Sequence, residues 1–244
     1  MTDMNSLLSE VLEAHGGLAR WSSISKITAH MSIGGPIWAA KGWPDALAAE
    51  TVEIDTAAER SVFAPFTNPD YHSVFTVNPE RVSVEDTSGK LVDQRTDARA
   101  AFKGHIRSTP WDRLHLGYFI GYAFWNYLTA PFLFTYPGVH TREIDSWHES
   151  GQTWRRLHVS FPDSITTHNP EQVFYFDHAG RQRRMDYVTE ILGATLVAHY
   201  TSAHRSFGGI VFPTHRRVFR RNPDGTANLN MPSITIDIGD IAVQ

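Results

Sequence analysis

The sequence predicts an all-β-dominated fold, a curved antiparallel half-barrel wrapped around an aromatic-rich helix. Three observations predict it. Hydrophobic and polar residues alternate with a period of two through most of the chain. Turn-forming runs interrupt the alternation at short intervals: Ser88-Gly89, His178-Ala179-Gly180, Gly208-Gly209 and Asn222-Pro223-Asp224-Gly225. Two segments alone read as substantial helices, and the second is crowded with rings.

The first helix is placed at about residues 6–21, because Leu7, Leu8, Val11, Leu12 and Leu18 fall near a 3.6-residue period. Asn5 or Ser6 can cap its start, and Gly16-Gly17 ends or kinks it. Strands follow. Ile27, Ala29, Met31 and Ile33 alternate with Thr28, His30 and Ser32; Val52 and Ile54 alternate with Glu53 and Asp55; Val82 and Val84 flank Ser83. The stretch 93–107 is polar and helix-tolerant, and is expected at the surface. The second helix is placed at about 109–129, with Thr109 as N-cap, Pro110 in the first position and Asp112 in the first turn. Pro131 closes it. Alternation then returns, through Leu157 to Phe161, Phe174 to Phe176, Met185 to Val188, Leu196 to Phe207, Ile210 to Arg220 and Ile234 to Ile238. About nine to eleven strands in one antiparallel meander result.

A chain of 244 residues with 41% hydrophobic and 20% charged side chains reads as a single globular domain, 1–244. With no Cys there is no disulfide framework, thiolate metal site or Cys nucleophile. A net charge of -4 argues against nucleic acid as a partner. No apolar run approaches the ~20 residues of a membrane span. Met1 to His30 shows no basic segment before an apolar core, so a cytoplasmic protein is expected. The G-x-G-x-x-G, G-x-x-x-x-G-K-[ST] and G-x-S-x-G patterns are missing, so no cofactor is expected. H-E-x-x-H is missing too, and a metal site is not expected.

A helix ending in His15-Gly16-Gly17, a long meander, His199-Tyr200, Gly208-Gly209-Ile210-Val211-Phe212-Pro213 and a closing Ile234-Thr235-Ile236-Asp237 follow one another. This layout resembles the bacterial lipoprotein-carrier (LolA/LolB-like) fold. The resemblance implies a strongly curved antiparallel half-barrel whose helices cover an apolar concave side that holds acyl chains. The segment Tyr175 to Val218 also resembles uncharacterised bacterial proteins of similar length. No functional residue of the carriers maps onto this chain, which lacks the lipidated Cys of the anchored members.

At about 100° per residue, Asp112, His115, Phe119, Tyr122 and Asn126 share one face of the second helix. Three polar groups with two rings can line a pocket. Gly117 and Gly121, on the other side, permit close approach of another backbone or ring. Trp111, Tyr118 and Trp125 add aromatic wall, and Trp43 sits in a segment that could cover a cavity mouth. His158, His199, His204 and His215 lie on neighbouring predicted strands. His199 with Tyr187 or Asp186 makes an acid/base candidate. In each pair Arg183-Arg184, Arg216-Arg217 and Arg220-Arg221, one side chain points to each sheet face; an inward one, such as Arg216, suits a carboxylate or phosphate head.

The expected function is therefore binding of a hydrophobic or aromatic small molecule in the concave cavity. A chemical version is a cofactor-free lyase, isomerase, cyclase or hydrolase of secondary or lipid-like metabolism. His115, Asp112, Tyr122, His199 and Tyr187 would do its proton transfer. Trp111, Tyr118, Phe119, Trp125, Asn126, Trp43, His158 and Arg216 would touch the ligand. The alternatives are a non-catalytic carrier, or a scaffold with a filled interior. Oligomeric state is left open.

Overall fold

The computed structural model describes residues 6–244. Its helices are α1 (Ser6–Ala14), α2 (Leu18–Trp21), α3 (Pro36–Lys41) and α4 (Arg113–Thr129). Its strands are β1 (Lys26–Gly34), β2 (Glu50–Asp55), β3 (Arg60–Ala64), β4 (Tyr71–Val77), β5 (Glu80–Asp86) and β6 (Leu91–Thr96), then β7 (His140–Glu149), β8 (Gln152–Ser160), β9 (Glu171–Phe176), β10 (Gln182–Thr189), β11 (Thr195–Phe207), β12 (Ile210–Arg220) and β13 (Ile234–Val243).

All strands join one antiparallel sheet in the order β6-β5-β4-β3-β2-β1-β13-β12-β11-β10-β9-β8-β7. The chain runs outward from β1 to β6, crosses through α4, and returns from β7 to β13. The sheet thus consists of two wings, β1–β6 and β7–β13, sewn together where β1 pairs with β13 from Ile27↔Val243 to Gly34↔Thr235. Strands β6 and β7 do not pair with each other, so the half-barrel stays open.

Alternation decides which face is buried. In β2, Glu50, Val52 and Ile54 are buried while Thr51, Glu53 and Asp55 are half-exposed. Leu157, Val159, Phe174, Phe176, Met185 and Tyr187 carry the same rule into the second wing, where they join one core with the helices. Helix α1 contributes Leu7, Leu8, Val11 and Leu12. It is tied to the second wing by Arg155 to Glu10 at 2.7 Å and by a hydrogen bond from Arg181 to Ala14 O.

Helix α4 is buried on every side, from Leu116 to Thr129, as a helix apolar all round must be. It rests on the first wing, against β3, β4 and β5. The reason is the glycine pair. A Cβ on Gly117 would lie 2.5 Å from Ser73 Oγ, and one on Gly121 would lie 2.5 Å from Phe75 Cβ. Ser61 Oγ adds a hydrogen bond to Gly121 O at 3.1 Å. No helix among the described residues is long and apolar enough to cross a membrane.

Several boundaries differ from the sequence expectation. Helix α4 starts later, with Asp112 as its N-cap accepting His115 N–H at 2.8 Å. Thr109 is used elsewhere: its hydroxyl accepts Ile106 N–H and its carbonyl accepts Lys41 Nζ. Part of the polar 93–107 stretch is edge strand, because β6 pairs with β5 as far as Thr96. A 3₁₀ turn, Ala98–Phe102, follows and buries Phe102. The segment around Trp38 and Trp43 holds a short helix, α3, with Trp38 in the core. Strands β3 and β4 escaped the sequence reading, and the alternation expected from about residue 141 begins as β7.

Gly121→Ala should lower the unfolding free energy by about 1–3 kcal/mol, since the new methyl meets Phe75 and neither backbone can yield. Urea denaturation of the two proteins checks this; an unchanged midpoint would mean that α4 is not pinned there.

Candidate functional site

Between α4 and the second wing the contact is made by long side chains, and here polar groups converge. Tyr122 Oη lies 2.9 Å from His168 Nδ1, and Tyr127 Oη lies 2.7 Å from His168 Nε2. Tyr127 Oη is 3.3 Å from Tyr187 Oη, and Tyr187 Oη is 3.5 Å from His199 Nδ1. The His168 ring stacks on Tyr187 with centroids 4.1 Å apart. A neutral imidazole has one N–H and one lone pair, so one of the two tyrosines on His168 donates and the other accepts.

Burial sets the charge of this network. It lowers His168 to a pKa of about 3. It also pushes His199 well below the ordinary histidine value, aided by the positive charge of Arg216. It raises Tyr127 to about 12, and Tyr122 and Tyr187 well above the ordinary tyrosine value. At neutral pH every member is therefore uncharged.

Arg216 is the exception. Burial lowers it, though only to about 10, so it stays a cation inside the protein. Its Nη2 donates to Tyr127 O at 2.9 Å. That carbonyl lacks its usual helical partner, because residue 131 is proline. The guanidinium also lies 4.9 Å from the Tyr127 ring centroid. Among the described residues its Nε and Nη1 have no partner, nor does His199 Nε2 nor Gln182 Nε2. Buried N–H groups without acceptors are costly and mark a place where an acceptor fits.

Two narrow apolar clefts flank this network. One, with about 20 Å³ of free space, lies between Phe119, Tyr187, Val197, Val218 and Ile234. The other, with about 10 Å³, lies between Tyr127, Leu133, Phe161, Phe174, Met185 and Arg216, with Asn126 on its wall. A larger open cleft of about 390 Å³ sits elsewhere, between Trp125, Tyr136 and the Ala57–Arg60 turn. Glu59 is there; its carboxyl accepts Thr166 N–H at 2.9 Å, and burial raises its pKa well above the usual range.

The structure thus brings together Tyr122, Tyr187, His199 and Arg216, with Phe119 and Asn126 beside them. Asn126 is held by Tyr122 O and Thr166 O. Two more candidates touch this group at its edge, Tyr118 on the Tyr122 ring (centroids 5.3 Å apart) and Trp111 on the Phe119 ring (5.1 Å), and the others lie apart. Asp112 and His115 form the α4 cap, roughly 15 and 10 Å along the helix from Tyr122. The Asp112 carboxylate takes two hydrogen bonds from Arg95, at 2.7 and 3.3 Å. Burial pushes its pKa up, but Arg95 and the His115 N–H outweigh this and leave it lowered. His115 Nδ1 is 2.8 Å from that carboxylate, and its ring packs on Phe102. Trp111 lies under Lys41 Nζ, and Trp43 Nε1 donates to Trp111 O at 2.9 Å. Tyr118 packs edge-on against Phe75. Trp125 Nε1 donates to Asp55 O, placing that ring at the distant open cleft. His158 does not face the interior: it alternates with buried Leu157 and Val159 and pairs with Glu171 at 3.0 Å. His199 is likewise on the opposite face from His158 and from exposed His215. Among the described residues no group of three or more His, Cys, Asp or Glu could hold a metal ion.

Sequence reasoning did not select Tyr127 for the site, and it missed His168 altogether. His168 lies in the loop between β8 and β9, where no periodicity assigns a face. Its one local signal is the neighbouring Asn169, which anchors the loop by accepting Val188 N–H at 2.8 Å.

No family model matches the sequence, and no curated protein matches it either. Solved structures do. A LolA superfamily protein from Nitrosomonas europaea superposes with a TM-score of 0.52 at 10% identity, over 100% of this chain and 94% of that one. The fold is LolA-like. A Vibrio parahaemolyticus domain named for outer membrane lipoprotein sorting gives 0.54 at 10% identity, covering 97% and 92%. A DUF1329 family protein from Desulfovibrio piger gives 0.52 at 12%, covering 100% and 94%. At such identities the LolA-like architecture is what is shared, and the residues of the site are this chain's own.

The buried histidines make stability depend on pH. In the unfolded chain His168 and His199 protonate below about 6.5, while the folded protein keeps them neutral to far lower pH. Acid therefore favours the unfolded state. Each should cost up to about 1.4 kcal/mol per pH unit as pH falls below about 6. Urea unfolding between pH 7 and 5 reads this slope, and His199→Gln should flatten it by close to one proton; an unaltered slope would show that His199 is charged or solvated in the fold.

Proposed function

We propose that this protein binds a hydrophobic small molecule between α4 and the second wing, and that it carries the ligand without transforming it. The observation that carries the reading is Arg216: a buried cation with two unpartnered N–H donors, set beside an apolar cleft. An acceptor oxygen on a bound molecule would satisfy those donors.

Helix α4 is fixed to the first wing by its glycines, so the second wing is met through Phe119, Tyr122 and Tyr127. Side chains can change rotamer where packed backbones cannot move. The free space of about 20 and 10 Å³ holds little more than a water molecule. An apolar ligand therefore takes the place of side chains that now close the clefts. The LolA-like proteins named above, one of them for lipoprotein sorting, support an apolar cargo.

The carrier reading is favoured over acid/base catalysis by the same electrostatics. A general acid or base works best with a pKa near the operating pH. His168 at about 3 and Tyr127 at about 12 are far from it. The catalytic reading keeps one observation in its favour, the unpartnered His199 Nε2.

Native mass spectrometry of freshly purified protein should show a retained small molecule. The neutral probe N-phenyl-1-naphthylamine should gain fluorescence on binding, and the retained molecule should emerge with unchanged mass after incubation. Arg216→Gln should hold the retained molecule about tenfold more weakly, the ratio expected when one charged hydrogen bond is lost. Absence of both ligand and probe binding would favour the filled scaffold. Turnover that disappears in His199→Ala would favour the enzyme.

A further inference from the structure

The cleft beside Phe119 has a charged mouth. Arg107, from the loop before α4, and Arg220, from the inner face of β12, both line it, and no carboxylate does. Their placement is fixed by the backbone. Arg107 Nη2 donates to Ser233 Oγ at 2.9 Å. Ser233 N–H donates to Val218 O at 2.7 Å, two residues before Arg220, and Asn228 N–H donates to Arg220 O at 3.0 Å. Burial, and then the charge of Arg220, hold Arg107 below the ordinary arginine value, with no acidic neighbour opposing them. Two guanidinium groups thus share a rim without a counter-ion, above walls formed by Phe119, Val197, Val218 and Ile234.

We propose that this rim is a head-group site for an amphiphile, with a carboxylate or phosphate held between Arg107 and Arg220 and an apolar tail directed inward past Phe119 and Val218. The site rests on the proposed binding of a hydrophobic ligand and specifies its class. An anion relieves the repulsion between the two cations, and planar guanidinium groups match both carboxylate and phosphate oxygens. The half-buried position of Arg107 weakens screening by water relative to an ordinary surface pair.

The test compares 11-(dansylamino)undecanoic acid with its methyl ester, using N-phenyl-1-naphthylamine as the neutral control. The acid should bind the wild-type protein about tenfold more tightly than the ester, corresponding to about 1.4 kcal/mol. In the double variant Arg107→Gln, Arg220→Gln that preference should vanish, while the neutral probe binds as before. Decyl phosphate should displace the acid; inorganic phosphate should not, because it has no tail. Equal binding of acid and ester by the wild type, a preference that survives in the variant, or displacement by inorganic phosphate alone would each overturn the head-group site. Failure of the neutral probe to bind the wild type would instead sink the hydrophobic-ligand reading itself.

Discussion

The close seat of α4 on β4 governs the interior. Without side chains at Gly117 and Gly121, the helix descends onto Ser73 and Phe75 and cannot stand midway between the wings. An off-centre helix leaves unequal spaces. On one side it meets the sheet nearly backbone to ring. On the other, rings and hydroxyls must span the distance, and that is where Tyr122, Tyr127, His168, Tyr187 and His199 form their network. The polar interior and the narrow clefts are both consequences of where the glycines put the helix.

Arg216 couples that geometry to charge. Pro131 removes the N–H that would have closed the last turn of α4, and the arginine supplies a donor from the opposite wing. The helix end is thereby tied to β12 by a cation in a dry environment. Such an ion is not an economical way to stabilise a core, since an apolar residue of similar size often does as well. Its two idle donors are the ones that the proposed ligand would satisfy. The convex face offers a contrast. Arg184 is as deeply buried, yet its guanidinium reaches Asp186, Glu149, Tyr200 and Gly225 O. That arginine is structural.

Much of the architecture could be read from periodicity. Alternation in Ile27–Ile33 or Leu157–Phe161 needs no tertiary information, because one face must be apolar wherever a sheet covers a core. The glycine spacing in α4 also announced a close approach. Three features were hidden. Beyond the turn into Leu91-Val92, strand β6 has an exposed, polar pattern because it is an edge, so residues 93–96 resembled a surface helix. The N-cap moved from Thr109 to Asp112 because Lys41 and Ile106 compete for Thr109, a contact no local pattern reveals. His168 and Arg107 belong to loops, where spacing carries no information about facing. Of the proposed site residues, Phe119, Tyr122 and Asn126 on α4 converge with Tyr187, His199 and Arg216 on the strands, whereas Asp112 and His115 at the start of α4 and outward-facing His158 do not. A helical stripe gives an angle around the axis but not the depth along it.

The seam between β1 and β13 has a consequence for how the chain acquires its shape. Each wing is a meander of neighbours, so each can assemble from contacts close in sequence. The first wing and α4 are complete within the first 129 residues, and the helix has its glycine seat before most of the second wing has been synthesised. The wings are not joined along an edge until β13, which follows all the other strands in sequence, slides in beside β1. Until then the apolar side of α4 destined for the second wing faces water. Until β13 has been made, the protein is a half-shell holding an uncovered aromatic helix, which is the kind of surface that chaperones recognise.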